Sequence, residues 1–271
     1  MSNKQILPNK VKSKIKAKIK SVPFLYNILL SGHKAFCRVR DMFHRNAQKR
    51  FTKFCTDLPN FVLEPMFVKV GANDGVTDDP CTDIILTNES WKGLLIEPVP
   101  YCFERLRENF HDARRFDLEQ VAVGSPAGEA TFYYVDPKAS SSIPNLPAWF
   151  DQLGSFDKNH IVNHLGLIVT PFVVEFQVKV VPLNDILKNN RIQFVHLLHI
   201  DTEGHDYEVL KTLNLLDYQP LSIYIEHRHL QDTKKKEMLH YLRNHGYSVF
   251  DCGGDYFALH KKSNKRLKKI V

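Results

Sequence analysis

The clearest indication of the fold is the segment Phe-Val-Lys-Val-Gly-Ala-Asn-Asp-Gly at residues 67–75. They predict a short apolar strand, interrupted only by Lys69, that runs into a turn bracketed by Gly71 and Gly75. Glycines at these points let the backbone approach a ligand closely, and a doubly wound sheet binds nucleosides outside the carboxyl end of its first strand. Since Asp-Gly pairs also form ordinary turns, the motif alone leaves a ligand-free turn open.

A second motif, Leu-Leu-Ile-Glu-Pro at residues 94–98, places Glu97 at the end of another apolar run, 22 residues after Gly75. An acid about 20 residues beyond a glycine turn is the expected partner of ribose hydroxyls. A dinucleotide would favour Gly-x-Gly-x-x-Gly, whereas this turn has Asn73 and Asp74 between its two glycines. The acidic turn therefore favours a cofactor that lacks phosphate and carries a cationic centre, such as S-adenosylmethionine.

Two further motifs deliver titratable groups to the same predicted edge. Leu-Leu-His-Ile-Asp-Thr-Glu-Gly-His-Asp at residues 197–206 is a buried strand that leads into a helix. Asp201 and Glu203 would share a face of this segment, although Glu203 and Asp206 can also serve only to favour the helix N-terminus. Ile-Tyr-Ile-Glu-His-Arg-His at residues 223–229 ends the next strand on that edge.

From Met66 onward, short apolar runs alternate with amphipathic stretches, which predicts a parallel sheet with crossover helices. Ser- and Pro-containing residues 136–171 interrupt this order and are a candidate lid or substrate-binding insertion. The predicted strands are 67–70, 93–96, 116–123, 194–200, 221–225, 247–250 and 256–259, and the predicted helices are 82–88, 100–109, 206–213 and 233–245.

Charge divides the 271 residues into three predicted parts. Residues 1–53, a basic N-terminal extension that we expect to be partly helical or disordered, carry 14 Lys and Arg against one Asp. Residues 261–271 form a basic tail with six Lys and Arg and no acid. The middle part, residues 54–260, then carries a net charge of −12 and would repel a polyanion, which makes nucleic acid an unfavoured partner.

The basic extension has lysine at every second position from Lys10 to Lys20, followed by an apolar segment at residues 22–30. Such an arrangement favours peripheral contact with an anionic membrane, and a solvated extension that aids solubility is the alternative. The apolar segment is too short and interrupted for a signal peptide, so we expect a cytoplasmic protein, peripheral at the inner face of the membrane if the extension binds lipid. Five scattered cysteines exclude a disulfide scaffold and a Cys-x-x-Cys zinc site.

Together the motifs resemble those of the FkbM-type methyltransferases. The likeness rests on Val-Gly-Ala-Asn-Asp-Gly, Ile-Glu-Pro with its Phe-Glu-Arg-Leu helix, Ile-Asp-Thr-Glu-Gly-His-Asp-Tyr-Glu-Val-Leu and Ile-Glu-His, in that order over residues 67–259. This resemblance implies the α/β fold of class I methyltransferases, a Rossmann-like sheet of seven strands with helices on both faces. It also implies S-adenosylmethionine-dependent O-methylation of a hydroxyl on a small molecule or a glycan.

The resemblance also assigns cofactor-binding positions. Glu97 would bind the ribose, and Glu119 or Gln120 at the end of the third strand would bind the adenine. One departure is Lys69, which stands where many relatives have aspartate. The residues expected at the methionine end are Gly71, Asn73, Asp74, Gly75 and Asp201.

Methyl transfer to a hydroxyl needs an aligned oxygen and a base for its proton. Asp201, His205 and His227 are the candidate bases, and histidine titrates near neutrality without a large shift. Asp201 and Glu226, with His227 as a further ligand, could hold Mg²⁺, although acids at strand ends are expected in any such fold. His196 and His199 lie three apart in a strand and face opposite sides, which excludes them as a zinc pair.

Three alternatives stay open. A nucleic-acid methyltransferase guided by the basic extension is one, although the fourth strand leads to Asp-Thr-Glu-Gly instead of an Asn/Asp-Pro-Pro-aromatic motif. A non-catalytic membrane adaptor that retains the fold is another. A dehydrogenase is the third and is the least favoured by the glycine pattern.

Overall fold

A computed structural model describes residues 23–261. The parts of the predicted basic extension and tail at residues 1–22 and 262–271 lie outside this range. The helices are α1 (Pro23–Asp57), α2 (Thr82–Thr87), α3 (Pro100–Asn109), α4 (Ala139–Ser142), α5 (Lys158–Leu165), α6 (Leu183–Asn189), α7 (Asp206–Lys211) and α8 (Asp232–Asn244). The strands are β1 (Met66–Val70), β2 (Lys92–Ile96), β3 (Phe116–Glu119), β4 (Ala122–Val123), β5 (Gly128–Val135), β6 (Val173–Val181), β7 (Leu197–Ile200), β8 (Ser222–Glu226), β9 (Tyr247–Asp251) and β10 (Asp255–His260).

Seven strands form the main sheet, in the order β3-β2-β1-β7-β8-β10-β9. The first five are parallel, and β10 runs antiparallel to both β8 and β9. This topology confirms the predicted Rossmann-like sheet. Because the strand order reverses between β1 and β7, a crevice opens there at the carboxyl ends of the strands, where open α/β sheets bind ligands.

Alternate residues of the central strands are buried on opposite faces of the sheet, which is why their sequences are almost wholly apolar. Val68 and Leu198 belong to one apolar cluster, with Leu210 of α7 and Met238 of α8. The other face is packed by α1, α2 and α3: its cluster includes Phe67 and Leu95 of the strands together with Phe51, Phe54, Ile85, Leu106 and Phe110. Helices therefore cover both faces, as predicted.

The predicted third strand, residues 116–123, is divided between two sheets. β3 ends at Glu119 on the edge of the main sheet, and β4 joins a separate three-stranded sheet of order β4-β6-β5. The predicted strand at 194–200 is also shorter, because it begins at Leu197 and Phe194 is 72% exposed. In both cases the sequence pattern overestimated the strand length, because apolar residues continue beyond the end of the hydrogen-bonded strand.

The chain divides into two compact units at Asn46 and Ala47. In the first unit the structure describes residues 23–46, which are helical. In the second, the C-terminal part of α1 packs on the sheet: the rings of Phe51 and Tyr224 stack with centroids 4.0 Å apart. Between residues 23 and 261, none of the helices combines the length and apolarity needed to cross a membrane.

Candidate active site

A cavity of about 340 Å³ opens at the carboxyl ends of β1, β2 and β7. Its wall consists of the turn after β1, the end of β2, the loop after β7 and part of the insertion. Within residues 23–261, one lysine and no arginine line it, against six carboxylates: Asp78, Glu97, Asp151, Asp157, Asp201 and Glu203. This balance suits a cationic or polyhydroxylated ligand and repels phosphate groups.

The turn after β1 is held against the neighbouring strands. The backbone N–H groups of Gly71 and Ala72 both donate to the carbonyl oxygen of Ile96, at 3.0 Å. A Cβ atom on Gly71 would lie 1.8 Å from the carbonyl oxygen of Asp201, and its φ of +74° is in the left-handed region. Only glycine lets the turn approach the loop after β7 this closely, which brings the two walls of the cavity together.

Glu97 directly follows β2, with its carboxylate buried in the cavity wall. Its Oε2 accepts from the backbone N–H of Asn73 at 2.8 Å, and its Oε1 accepts from Val99 at 2.9 Å. Burial raises the pKa of Glu97 to about 7, against the lowering effect of these hydrogen bonds. Because each carboxylate oxygen can accept a further hydrogen bond, Glu97 can bind two adjacent hydroxyls such as those of a ribose.

Lys69, the departure from the family pattern, is paired beneath the turn. Its ammonium hydrogen bonds with Asp79, whose Oδ2 is also 3.4 Å from His199 Nδ1. Asp79 Oδ1 accepts from the backbone N–H groups of Cys81 and Thr82 and so holds the start of α2. Burial lowers the pKa of Lys69, but the charge of Asp79 outweighs it, so the pKa is raised and the lysine stays charged.

Three acids lie near the carboxyl ends of β7 and β8: Asp206 and Glu226 are buried, and Asp201 is partly buried. Burial raises the pKa of Asp201 to about 6, against the charges of His199 and Lys69. Burial and the charge of Asp201 raise the pKa of Asp206 to about 8, and burial with the surrounding acids raises that of Glu226 to about 10. Asp206 accepts from the backbone N–H groups of Thr202 and Gly204 and so orders the loop after β7.

The predicted histidines take different places. His205 lines the cavity, with its ring 5.2 Å from that of Phe156, and burial lowers its pKa. His227 lies outside the lining: it stacks on Tyr256 with ring centroids 3.9 Å apart, and its Nε2 is 3.6 Å from Asp251 Oδ1. Of these two candidate bases, only His205 can meet a ligand in the cavity without rearrangement.

The structure separates the sequence-predicted residues into two groups. Gly71, Asn73, Glu97, Asp201 and His205 meet around one cavity. The residues outside its lining are Asp74, Gly75, Glu119, Gln120, Glu226 and His227.

Some residues outside the lining hydrogen bond to or pack against the segments that form the cavity wall. Asp74 accepts from the backbone N–H groups of Val76 and Thr77, and a Cβ on Gly75 would lie 2.4 Å from the ring of Phe110 in α3. Glu119 Oε1 accepts from Asn190 Nδ2 at 2.8 Å. Asp74 and Gly75 thus shape the turn and its packing.

The sequence predicted the insertion, residues 136–171, as a lid or substrate-binding segment, but it did not indicate which of its residues, nor that His229, would line the wall. The insertion contributes residues 151–152 and 154–157 and His160, and the loop after β8 contributes His229. The apolar part of the wall includes Val121, Ala122 and Val123, which follow the expected adenine-binding position by one to three residues. Val121, Ala122 and Val123 form an apolar run directly after Glu119 and Gln120, and this run is visible in the sequence.

Comparisons with known proteins bear on the fold and the family. Three similar solved structures are the METTL16 MTase domain (11% identity, 76% of this chain and 63% of that chain, TM-score 0.41), a Methanococcus jannaschii fibrillarin pre-rRNA processing protein (12%, 73% and 67%, 0.39) and a human methyltransferase 10 domain containing protein (12%, 79% and 80%, 0.39). No curated protein matches the chain.

A family model described as the Methyltransferase FkbM domain matches residues 69–249. The match begins in β1, ends in β9 and so includes the turn after β1, Glu97, the insertion and the loops after β7 and β8. The suspected resemblance is thereby confirmed over two thirds of the chain, and this protein belongs to the FkbM methyltransferase family.

Proposed function

We propose that the protein is an S-adenosylmethionine-dependent O-methyltransferase that acts on a hydroxyl of a small molecule or a glycan. The observation that carries the proposal is the cavity at the β1/β7 reversal, with Glu97 buried in its wall beside the close turn at Gly71. A volume of about 340 Å³ is in the range of small-molecule sites.

The residues present fit this cofactor in three ways. Glu97 retains acceptor capacity for the ribose, and Val121, Ala122 and Val123 offer an apolar surface to the adenine. The carboxylates of the wall favour the positively charged sulfonium. Bound S-adenosylmethionine would supply an electrophilic methyl group.

The chain's own contribution is to align the acceptor and to remove its proton. Alignment of reacting groups supplies up to about 7–11 kcal/mol, and a positioned base contributes about 10²–10⁴-fold. Asp201 and His205 line the cavity from the same loop. With a pKa raised to about 6, Asp201 is a stronger base than an ordinary aspartate, and His205 is neutral at pH 7 because burial lowers its pKa.

The acceptor is proposed on the chemistry of the cavity wall. Carboxylates and imidazoles accept hydrogen bonds from sugar-like hydroxyls, whereas the phosphates of a nucleic acid would be repelled. A hydroxylated acceptor is therefore favoured over the nucleic-acid alternative.

Calorimetric titration with S-adenosylhomocysteine tests the cofactor assignment. We expect micromolar binding that Glu97→Ala weakens at least tenfold, which corresponds to about 1.4 kcal/mol. Glu119→Ala is the matched control, because this carboxylate lies outside the lining and contacts Asn190; it should leave the affinity within twofold. Equal affinities of wild type and a folded Glu97→Ala variant would remove Glu97 from the cofactor site.

Methyl transfer itself is tested with labelled S-adenosylmethionine and mixtures of oligosaccharides or hydroxylated small molecules. Alkali-stable methyl ethers, identified by mass spectrometry, are the expected product. Label found only on amines, or only in RNA or DNA, would contradict the proposed acceptor class.

The basic extension supports a second proposal, peripheral contact with an anionic membrane through residues 1–53. Within its described part, Val39, Met42 and Phe43 share one helical face and are each about half exposed. Arg38 and Arg40 lie beside them in the sequence. Apolar side chains flanked by arginines suit the boundary between acyl chains and headgroups.

A further inference from the structure

Four side chains in and beside the cavity wall are assigned neither to the ribose nor to the base in the proposed methyl transfer. They are Glu203 in the loop after β7, Glu226 at the end of β8, His229 in the loop after β8 and His160 in α5 of the insertion. Residues from two neighbouring strand ends and the insertion helix therefore converge on one point.

The polar atoms of this group face one another at short distances without forming hydrogen bonds. His229 Nε2 is 3.3 Å from Glu203 Oε2 and 3.5 Å from Glu226 Oε1, and His160 Nε2 is 3.9 Å from Glu203 Oε2. Within the described residues, Glu203 Oε2, His160 Nε2 and Glu226 Oε2 are buried and have no hydrogen-bond partner. Since buried polar atoms are almost always satisfied, these three require an explanation.

Glu226 is the most telling member, because its side chain is only 8% exposed. It is surrounded by other acids, and Asp201 and Asp206 each have a carboxylate oxygen within 4.8 Å of one of its own. A carboxylate in such surroundings is costly unless a cation faces it. Glu226 Oε1 points toward the imidazole of His229, on the side where Glu203 also lies.

We propose that Glu203, Glu226, His229 and His160 bind one divalent transition-metal ion of the zinc class. Zinc ligands lie about 2.0–2.1 Å from the metal, so neighbouring ligand atoms of a tetrahedral site are about 3.3–3.4 Å apart. The two His229 separations agree with this spacing, and one ligand atom each of Glu203, Glu226 and His229 lies within 4.8 Å of the others. His160, the most distant ligand, moves inward to complete the set.

Ligand chemistry selects the metal class. Two imidazoles and two carboxylates suit Zn²⁺, with Mn²⁺ and Fe²⁺ as weaker competitors, whereas Mg²⁺ prefers oxygen ligands and retains several waters. The set also differs from the one expected from sequence, because His227 lies outside it and Asp201 has no direct part. A bound ion would join the insertion to the ends of β7 and β8 beside the cavity.

The test is titration of tag-free, full-length protein with ZnCl₂, followed by calorimetry and by competition with a chromogenic chelator. We expect one ion per chain, with an affinity that each of Glu203→Gln, His229→Gln and His160→Gln weakens at least tenfold. His164→Gln is the matched control on the same helix, one turn from His160, and should change the affinity less than twofold. Unchanged affinity in any of the three ligand variants would overturn the proposed set.

Two further readouts keep the test independent of methyl transfer and of folding defects. Co²⁺ substitution should give visible absorption bands of a tetrahedral site, and their absence would contradict the geometry. Excess Mg²⁺ should leave Zn²⁺ binding unchanged, and displacement by Mg²⁺ would contradict the metal class. An unchanged circular dichroism spectrum and an unchanged midpoint of urea unfolding identify variants that remain folded.

Discussion

Lys69 and Asp79 are two buried charges that stabilise each other beneath the turn after β1. Their side chains are 6% and 0% exposed, and they form a direct ion pair. The pair places a cation below the cavity and ties the start of α2 to β1.

We expect Lys69→Met to destabilise the protein by about 3–5 kcal/mol, because it leaves Asp79 buried without its cation. Denaturant unfolding at pH 7 measures this loss. The double variant Lys69→Met/Asp79→Asn should recover much of it, since an asparagine at 79 keeps the cap on Cys81 and Thr82 through its amide oxygen. If the double variant is as unstable as the single one, packing and not charge is the cause.

If Glu97 binds the ribose as proposed, we expect cofactor binding to depend on pH. Its pKa is raised to about 7 by burial, so a falling pH protonates it within the physiological range. A protonated carboxyl accepts fewer hydrogen bonds, and the affinity for S-adenosylhomocysteine should fall about tenfold between pH 8 and pH 6. Calorimetry across this range measures the change, and Glu97→Gln should flatten the profile. A wild-type profile that is already flat would contradict the role of Glu97.

Among the secondary-structure elements, Arg105 of α3 joins the turn after β1 to the insertion. Its guanidinium donates to Asp151 Oδ2 at 2.7 Å, to Asp74 Oδ2 at 2.8 Å and to Asn73 Oδ1 at 3.2 Å. Asp151 belongs to the 3₁₀ helix Ala148–Gln152, and its backbone carbonyl also accepts from Asn73 Nδ2 at 3.4 Å. One side chain thus positions two walls of the cavity.

We expect Asp151→Asn to loosen the insertion while the sheet stays intact. Because Arg105 is 39% exposed, the loss of stability should be below about 1 kcal/mol, as for a surface ion pair. Hydrogen exchange should increase in residues 148–165, and S-adenosylhomocysteine affinity should fall about threefold. Asp157→Asn is the comparison, because it leaves the Arg105 contacts in place and keeps the cap on Asn159 through its amide oxygen. Uniform exchange changes across the sheet would instead indicate a global effect.

The main sheet and the turn after β1 were predictable because short, local sequence motifs determine them. Residues 67–75 and Glu97 follow one another with fixed spacing, and each strand is an apolar run of sheet length. His160 and His229 could not be paired in this way, since they are 69 residues apart and meet only through the fold of the insertion. Asp74 and Glu119 were assigned from their positions in motifs, which do not fix the direction of a side chain.

The charge distribution along the chain, a basic extension before an acidic domain, predicts that binding to an anionic membrane is sensitive to salt. Vesicles that contain phosphatidylserine should sediment the full-length protein at low salt, and vesicles of phosphatidylcholine alone should not. Replacement of the six lysines between Lys10 and Lys20 by glutamine should reduce this binding at least tenfold, and Phe43→Ser should reduce it less. Equal binding to both kinds of vesicle would contradict an electrostatic contact.

The buried acids make the stability of the folded chain depend on pH. The pKa of Glu226 is raised from 4.5 to about 10, so the folded protein holds a proton that the unfolded chain releases. The unfolded state binds fewer protons in this interval, and the free energy of unfolding therefore falls as the pH rises from 5 to 8. Glu226→Gln should remove this contribution and stabilise the protein at pH 8 by about 2 kcal/mol, with little effect at pH 5.

Urea unfolding at both pH values, with a chelator present to exclude metal binding, measures the difference. Glu208→Gln is the control, because Glu208 is 42% exposed and contacts Lys211, which lowers its pKa. Its loss should therefore give no stabilisation at pH 8. Parallel pH profiles of wild type and Glu226→Gln would show that Glu226 is already ionised in the folded chain. With saturating Zn²⁺ in place of the chelator, the sign should reverse, since Glu226→Gln then removes a ligand from a site that only the folded state possesses.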